Sequence, residues 1–283
     1  MSTRVTQAEV ARAGMPGLEG KNLLVTGGSS GIGQAIAVRF ARHGANVAIN
    51  YRSSPDEAAA TEAQVRACMS TVREQGVRDV LVRGDVSCEE DVVDMLGEAS
   101  ERLGGVDILV NNAGIQISRP SEQLASADFD RVLAVNLRGA FLCAREAIKR
   151  FLADGIGGVV VNVSSVHQAI PKPSYLGYSV SKGGMQNLTS TLALEYAGRG
   201  IRVNAVAPGA TVTPINRAWI DDPVKAAMVA DHIPVGRAGT ADEMAGVCAF
   251  LASDDAAYIT GQTIFVDGGL TLYADFREPW SSE

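Results

Sequence analysis

Residues 22–42, NLLVTGGSSGIGQAIAVRFAR, contain the pattern that decides the fold. The apolar run 22–26 predicts a short buried strand, and the residue spacing from Gln34 to Arg42 predicts a helix. The segment 27–33 between them is rich in glycine. A strand, a glycine-rich turn and a helix in this order point free backbone N–H groups at a phosphate. The turn alone is weak support, because any tight turn between a strand and a helix can use glycines.

The same alternation of strand and helix continues along the chain. Strands and helices at this spacing are typical of a parallel sheet with helices on both faces, and right-handed crossovers make such a sheet doubly wound. The sequence therefore predicts an α/β protein with a doubly wound parallel sheet (Rossmann fold) of about seven strands. The predicted strands are 22–26, 45–50, 77–82, 106–110, 159–163, 200–207 and 262–266, and the further helices include 55–75, 89–103 and 241–252.

Length and composition fit one domain of this kind. The 283 residues are 46% hydrophobic and 20% charged, which is ordinary for a globular chain with a large core. We expect a polar N-terminal arm over residues 1–19 and a single domain over residues 20–283. In this fold, ligands bind in the loops that follow the carboxyl ends of the strands.

Charge and cysteine usage limit the partners and the location. The net charge of −7 argues against nucleic acid or an acidic membrane as a partner. No apolar run reaches the length of a membrane span, and the first residues contain no signal-peptide core. The four cysteines are widely spaced, with no CxxC pair and no histidine cluster. We therefore expect no metal site and a reducing, cytoplasmic location.

A second pattern lies in residues 165–182, SVHQAIPKPSYLGYSVSK. On a helix, Tyr178 and Lys182 are one turn apart on the same face. A nearby positive charge favours the phenolate, so Tyr178 is a candidate general acid or base. Ser165 follows the predicted strand 159–163 and can converge on the same cleft. Tyr175 is a weaker candidate, because Ser179 rather than a lysine lies four residues after it.

The end of the second strand indicates which dinucleotide the turn would hold. In dinucleotide sites an acidic residue at this position binds the ribose 2′-hydroxyl. This chain has no acid there and instead has Tyr51, Arg52 and Ser53. An arginine pairs well with a phosphate. We therefore expect NADP as cofactor, with NAD as a second cofactor.

These motifs, taken together, resemble those of the short-chain dehydrogenases/reductases. TGGSSGIG at 26–33, DV at 85–86, NNAG at 111–114, the Ser165, Tyr178 and Lys182 set and PG at 208–209 occur in the family's order. The resemblance extends from about residue 18 to the end. It implies an NAD(P)-dependent oxidoreductase that transfers hydride between a nicotinamide and a small alcohol, sugar or ketone, and it implies a homotetramer.

The resemblance also assigns roles to individual residues. It implies that Asn136, Ser165, Tyr178 and Lys182 are catalytic, with Asn136 kinking a helix and holding a proton-relay water. It implies a cofactor site formed by Gly27, Ser29, Ser30, Gly31, Ile32, Gly33, Tyr51, Arg52, Ser53, Asp85, Val86, Asn112, Ala113, Gly114, Tyr178, Lys182, Pro208, Gly209, Thr211 and Thr213.

The substrate loops resemble those of bacterial glucose 1-dehydrogenases. The similar stretches are 50–54, 161–173, 192–204, 208–216 and 267–273. The substrate residues implied are Ser165, His167, Gln116 and Asn216. His167 fits a donor to a sugar hydroxyl, and it fits a structural role equally well. Gln116 departs from that subgroup, which has an acidic residue there. Residues 215–233 fit a mobile substrate lid, and they fit a surface helical excursion equally well.

Three functions follow as hypotheses. The first is oxidation of a sugar to its lactone. The second is reduction of a broad range of carbonyls or of 3-oxoacyl thioesters, although the acidic balance argues mildly against docking an acidic acyl carrier. The third is a cofactor-sensing scaffold without catalysis, and the complete set of four catalytic residues argues against it.

Overall fold

The computed structural model describes residues 15–72 and 78–272. Apolar segments form the strands because their residues are buried between two layers of helices. In chain order the strands are β1 (Asn22–Val25), β2 (Asn46–Tyr51), β3 (Asp79–Arg83), β4 (Ile108–Asn111), β5 (Val159–Val163), β6 (Arg202–Pro208), β7 (Thr211–Val212), β8 (Gly239–Thr240) and β9 (Thr263–Val266).

Seven of these strands form one sheet in the order β3-β2-β1-β4-β5-β6-β9. Every pairing in it is parallel. The chain reverses its direction of travel across the sheet between β1 and β4, and such a reversal opens a crevice at the carboxyl ends of the strands. The predicted doubly wound parallel sheet is confirmed.

Helices cover both faces of the sheet, each packed through an apolar stripe. Phe40 marks the core on the face covered by α1, α2 and α9, and Phe151 marks the core under α3, α5 and α6. Within residues 15–72 and 78–272, every helix is too short or too polar to span a lipid bilayer. The helices are α1 (Gly31–Arg42), α2 (Pro55–Val72), α3 (Glu89–Leu103), α4 (Ser126–Leu133), α5 (Gly139–Ala153), α6 (Leu176–Tyr196), α7 (Arg217–Ile220), α8 (Pro223–Asp231) and α9 (Ala241–Ala252).

The element ends differ from the sequence-based bounds in a few places. Helix α1 begins at Gly31, three residues before the predicted start, so the glycine-rich turn is shorter than expected. The end of the helix predicted at 55–75 and the first residue of the strand predicted at 77–82 lie outside the described residues. Between α4 and α5 the chain makes a wide turn at Ala134–Arg138 that contains Asn136, and such turns kink helices.

Part of the predicted N-terminal arm packs against the domain. Residues 1–14 lie outside the described residues. Leu18 is fully buried in the core under α1 and α9. The Pro16 carbonyl accepts a hydrogen bond from the Asp254 amide at 3.0 Å. Residues 15–19 therefore contribute to the packing of the domain.

Residues 213–238 leave the sheet and return beside their starting point. Strands β7 and β8 pair in parallel, with Thr211 opposite Gly239 and Val212 opposite Thr240. The segment between them contains α7 and α8, and Asp222 caps α8 by accepting from the amides of the following turn. We call residues 215–233 the lid. Their helical structure is observed, and their mobility stays a prediction.

Candidate functional site

A cavity of about 890 Å³ lies at the carboxyl ends of β1, β4, β5 and β6, partly covered by the lid. This is the position expected for the ligand of a doubly wound sheet. Most of the predicted site residues line it. They are Gly27, Ser29, Ser30, Gly31, Ile32, Asn112, Ala113, Gly114, Gln116, Ser165, His167, Tyr178, Lys182, Pro208, Gly209, Thr211, Thr213 and Asn216.

The glycine-rich turn has the geometry of a phosphate cradle. Gly27 and Gly31 have φ of 60° and 58°, a left-handed conformation that glycine adopts without strain. Ser30 precedes α1 but makes no side-chain capping bond, and the first turn of α1 has no acidic residue. The N-terminal N–H groups of α1 are therefore uncapped beside the cavity. A nicotinamide dinucleotide fits this turn through its pyrophosphate.

Gly33 does not line the cavity. Its role is to allow close packing between α1 and the glycine-rich turn. A Cβ at this position would lie 2.3 Å from the Gly27 carbonyl oxygen and 2.5 Å from Asn112 Nδ2. No side chain fits at those distances. Gly33 therefore lets α1 pack closely against the turn that precedes it.

Asn50, at the end of β2, holds the same turn and was not predicted from the sequence. Its Oδ1 accepts from the Gly27 amide at 3.1 Å, and its carbonyl accepts from the Gly28 amide at 2.8 Å. Its Nδ2 donates to the Gly84 carbonyl at 3.1 Å. The side chain is 2% exposed. A polar residue that ends an apolar strand beside a glycine-rich turn is the signal that could have identified it.

Tyr178 and Lys182 lie one turn apart on α6, as the spacing predicts. The Lys182 ammonium is 5.6 Å from the centre of the Tyr178 ring. It donates to the Val163 carbonyl at 2.7 Å, and the residue is 4% exposed. Burial lowers the pKa of Lys182 to about 8. The charge of the ammonium is therefore lost as the pH rises through about 8.

The phenol of Tyr178 lies beside Ser165 and borders the cavity. Burial raises the pKa of Tyr178, and a hydrogen bond with the Ser165 side chain acts in the opposite direction. The net direction is upward, opposite to the one expected from the charge of Lys182. In the chain alone, the loss of solvent around the phenol outweighs the other influences on it.

Asn136 connects the predicted catalytic helix to the loop after β4 but does not line the cavity. Its Oδ1 accepts from the Ile115 amide at 2.8 Å, and its Nδ2 donates to the Ile115 carbonyl at 2.9 Å. The same Nδ2 donates to Ser181 Oγ at 3.1 Å, and Ser181 Oγ donates to the Tyr178 carbonyl at 2.7 Å. Asn136 thereby fixes the backbone that carries Tyr178. The proton-relay water stays a prediction.

Five predicted cofactor residues lie beyond the cavity, near the ends of β2 and β3. The Arg52 guanidinium is 3.7 Å from the Asp85 carboxylate. Burial raises the pKa of Asp85, but hydrogen bonds from Ser87 and the charge of Arg52 outweigh burial, and the net direction is downward. This edge of the sheet adjoins the glycine-rich turn through Asn50. The five residues are Tyr51, Arg52, Ser53, Asp85 and Val86.

Comparison with known proteins identifies the family. Residues 27–271 match the family model adh_short_C2, described as enoyl-(acyl carrier protein) reductase. The chain belongs to the short-chain dehydrogenase/reductase family. It is 52% identical to glucose 1-dehydrogenase from Gluconobacter oxydans, over 93% of this chain and 96% of that protein. It is 48% identical to 3beta-hydroxysteroid dehydrogenase 1 from Eggerthella lenta, over 92% and 97% of the two chains.

A solved structure with the same fold agrees with this assignment. Gluconate 5-dehydrogenase from Burkholderia cenocepacia, in complex with NADP and tartrate, superposes with a TM-score of 0.82 at 34% identity, over 93% of this chain and 99% of that one. This short-chain dehydrogenase is therefore an NAD(P)-dependent oxidoreductase, as its motifs predicted.

His167 lines the cavity of this dehydrogenase, and a bond to the backbone fixes the tautomer of its ring. Its Nδ1 lies 3.1 Å from the Ile170 carbonyl oxygen, which can only accept, so Nδ1 carries a proton. Burial lowers the pKa of His167, and the charge of Lys172 lowers it further. In the neutral ring Nε2 is then an acceptor. The protein therefore offers an acceptor nitrogen at this position of the cavity, and a contact of His167 with a substrate hydroxyl stays a prediction.

The two amide candidates line the cavity of the dehydrogenase but already bond to the protein. Gln116 Nε2 donates to the Ile215 carbonyl at 3.2 Å, which connects the loop after β4 to the start of the lid. Asn216 Nδ2 donates to the Thr211 carbonyl at 2.9 Å. Both side chains therefore position the lid, and each has fewer N–H groups left for a sugar than the sequence suggested.

Proposed function

We propose that this dehydrogenase oxidises D-glucose at its anomeric carbon to the lactone. One observation carries the proposal: Ser165, Tyr178 and Lys182 meet in one cavity beside the acceptor nitrogen of His167. The 52% identity to a glucose 1-dehydrogenase supports glucose as the sugar. Ser165, Tyr178 and Lys182 are the proposed catalytic residues, and Asn136 is a positioning residue.

Each residue has a defined part in the proposed reaction. Oxidation of an alcohol removes the hydroxyl proton and a hydride. Ser165 holds the substrate oxygen by a hydrogen bond, and Tyr178 takes the proton as general base. Lys182, charged below pH about 8, stabilises the phenolate. The nicotinamide, when bound, accepts the hydride, and the protein supplies orientation and electrostatics.

We propose NADP as the preferred cofactor, with NAD also used. The NADP named with the Burkholderia relative supports this choice. The uncapped start of α1 would hold the pyrophosphate, and Lys182 would contact the ribose. Arg52 would bind the 2′-phosphate, because it directly follows β2. Its only carboxylate partner among the described residues is Asp85, and the distance of 3.7 Å between them leaves the guanidinium able to bind a second anion.

Substitution of Arg52 tests the cofactor proposal. We expect Arg52→Ala to raise KM for NADP about tenfold or more, because a charge-assisted phosphate contact contributes about 1.5–3 kcal/mol. KM for NAD should change little. Initial rates with both cofactors measure the difference. Arg102→Ala, which removes a surface charge from α3, is the control. An equal rise in both KM values would show that Arg52 does not contact the phosphate.

The substrate is tested with a panel of sugars, alcohols, ketones and 3-oxoacyl thioesters, assayed by the absorbance of the reduced nicotinamide. We expect oxidation of D-glucose. We expect His167→Ala to raise KM for glucose and to leave a small apolar ketone unaffected, because an unpaired buried hydroxyl costs about 1–3 kcal/mol. If glucose is not oxidised with either cofactor and ketones or thioesters are reduced, the protein is a carbonyl reductase and the proposed sugar oxidation is wrong.

The carbonyl reductase is the second candidate, and the lid supports it. The lid and its neighbour contribute apolar side chains to the cavity, namely Trp219, Met228, Val229, Ile233 and Leu270. The 48% identity to a hydroxysteroid dehydrogenase fits an apolar substrate. A cofactor-sensing scaffold is not favoured, because it would not require Tyr178 and Lys182 together in a cavity.

We also propose that the dehydrogenase is a homotetramer in the cytoplasm. Family resemblance motivates the assembly. The exposed apolar side chains Leu194, Tyr258 and Phe265 support it, as does the position of β9, which is the last strand of the sheet within the described residues, since large exposed apolar groups near a sheet edge often mark interfaces. Light scattering of the purified protein measures the assembly, and a monomer would contradict it.

A further inference from the structure

One end of the cavity lies beside the proposed proton-transfer residue. We call it the substrate end and define it by Ser165, His167, Lys172 and Pro173, which follow β5, and by Tyr178 on α6. The glycine-rich turn, after β1, forms a different part of the cavity wall. Charges at the substrate end therefore act on the substrate.

The charges around the cavity are uniformly basic. The chain has 32 carboxylate residues and a net charge of −7, yet no aspartate or glutamate of the described residues lines the cavity. Two lysines do. Lys182 donates to the Val163 carbonyl beside Tyr178. Lys172 forms no ion pair with any carboxylate within residues 15–72 and 78–272.

A tight turn fixes the backbone of Lys172, whose side chain is exposed. The Tyr175 amide donates to the Lys172 carbonyl at 3.3 Å, and Ser174 has φ of 65°. With Pro173 in second place, this is the pattern of a type II turn. The Arg119 amide donates to the Ser174 carbonyl at 2.9 Å. The Lys172 ammonium lies 4.0 Å from the centre of the Tyr175 ring, which orients the charge without neutralising it.

The charge of Lys172 acts on the neighbouring His167 ring. It contributes to the lowered pKa of His167, after burial. The His167 ring is 6.3 Å from the Tyr178 ring, edge to face. Lys172, Ser165 and Tyr178 border the same cavity, so an anion paired with Lys172 shares it with a hydroxyl held by Ser165 and Tyr178. The neutral His167 ring does not compete for that anion.

We propose that Lys172 binds the carboxylate of an anionic substrate and that the dehydrogenase oxidises hydroxy acids of the sugar-acid class. The inference rests on the proposed hydride transfer. In the step, the carbinol C–H bond breaks and its electron pair passes to the oxidised nicotinamide. The hydroxyl proton passes to Tyr178, and a C=O bond forms. The product is a keto acid, whose carboxylate stays paired with Lys172 throughout.

The test compares D-gluconate with D-glucitol, a neutral polyol of the same carbon skeleton. We expect Lys172→Gln to lower kcat/KM for gluconate about tenfold, because a partly exposed charge-assisted bond is lost, and to leave glucitol unchanged. Lys172→Arg should retain the wild-type kcat/KM for gluconate, because it keeps the positive charge. Lys21→Gln, at the amino end of β1, is the matched control and should change neither. Added salt should raise KM for gluconate alone.

Other outcomes overturn the inference. Equal effects of Lys172→Gln on both compounds, or no effect on gluconate, contradict a carboxylate contact. If gluconate is not turned over, its affinity is measured instead as competitive inhibition of whichever substrate the enzyme does oxidise. If gluconate does not inhibit the wild-type enzyme, the proposed site is rejected. If nothing is turned over but calorimetry shows gluconate binding that depends on Lys172, the proposed function fails and the site stands. If glucose is oxidised but gluconate neither reacts nor binds in a way that depends on Lys172, the site fails and the function stands.

Discussion

Tyr178→Phe is expected to abolish turnover of every substrate and to leave cofactor binding intact. The ring remains and only the hydroxyl that exchanges the proton is lost. A positioned general acid or base contributes about a hundredfold to ten-thousandfold to the rate. We therefore expect kcat to fall by about a hundredfold or more. Initial rates measure the loss, and calorimetric titration with the cofactor measures binding.

Tyr175→Phe is the matched control, three residues earlier. Its ring faces the Lys172 ammonium, and the substitution keeps that ring. Tyr175 immediately precedes α6 and does not border the cavity. We expect a mild effect on kcat. Comparable losses in the two variants, with folding intact, would refute the assignment of Tyr178.

Gly33→Ala is expected to produce the largest effect on the cofactor site. The new Cβ would lie 2.3 Å from the Gly27 carbonyl oxygen, so either α1 or the turn must move. Overpacking of this kind costs about 1–3 kcal/mol, and we expect the free energy of unfolding to fall by that amount. A displaced turn no longer matches the pyrophosphate, so cofactor affinity should fall about tenfold to a hundredfold. Denaturant unfolding and calorimetry measure the two losses.

Gly97→Ala gives the opposite sign and is therefore an informative control. Gly97 lies inside α3, and the nearest atom to its added Cβ is the flexible end of Arg150 at 3.7 Å. Alanine in a helix interior is favoured over glycine by about 0.5–1 kcal/mol. We expect this variant to gain stability. If both variants gain stability and bind cofactor normally, Gly33 is not a packing position.

The sequence predicted the sheet and the helices wherever local patterns carried the information. The bounds of α9 came out as predicted, because Thr240 and Glu243 form a capping box that fixes its start. The seven parallel strands followed from the alternation of apolar runs. The helix spacing likewise placed Tyr178 and Lys182 on one face, which required only that the segment be helical.

The remaining features depend on contacts between distant segments. Asn50 holds a turn that lies 23 positions earlier in the chain, and Gln116 bonds to Ile215. No periodicity shows which partner a polar side chain will find, so Gln116 resembled a ligand-binding residue before its lid contact was visible. No sequence pattern assigned a role to Lys172, and only the fold shows that it borders a cavity whose described lining contains no carboxylate.

The pairing of β7 with β8 has a consequence for how such enzymes diversify. Because Thr211 and Gly239 are neighbours, everything between them is a closed excursion with fixed ends. Closing a loop twice as long costs only about 0.6 kcal/mol more, so segments of different length can be exchanged there without disturbing the sheet. The segment between β7 and β8 can therefore be replaced as a unit. Chimeras that transplant it between relatives should therefore inherit the donor's substrate preference and retain the recipient's chemistry.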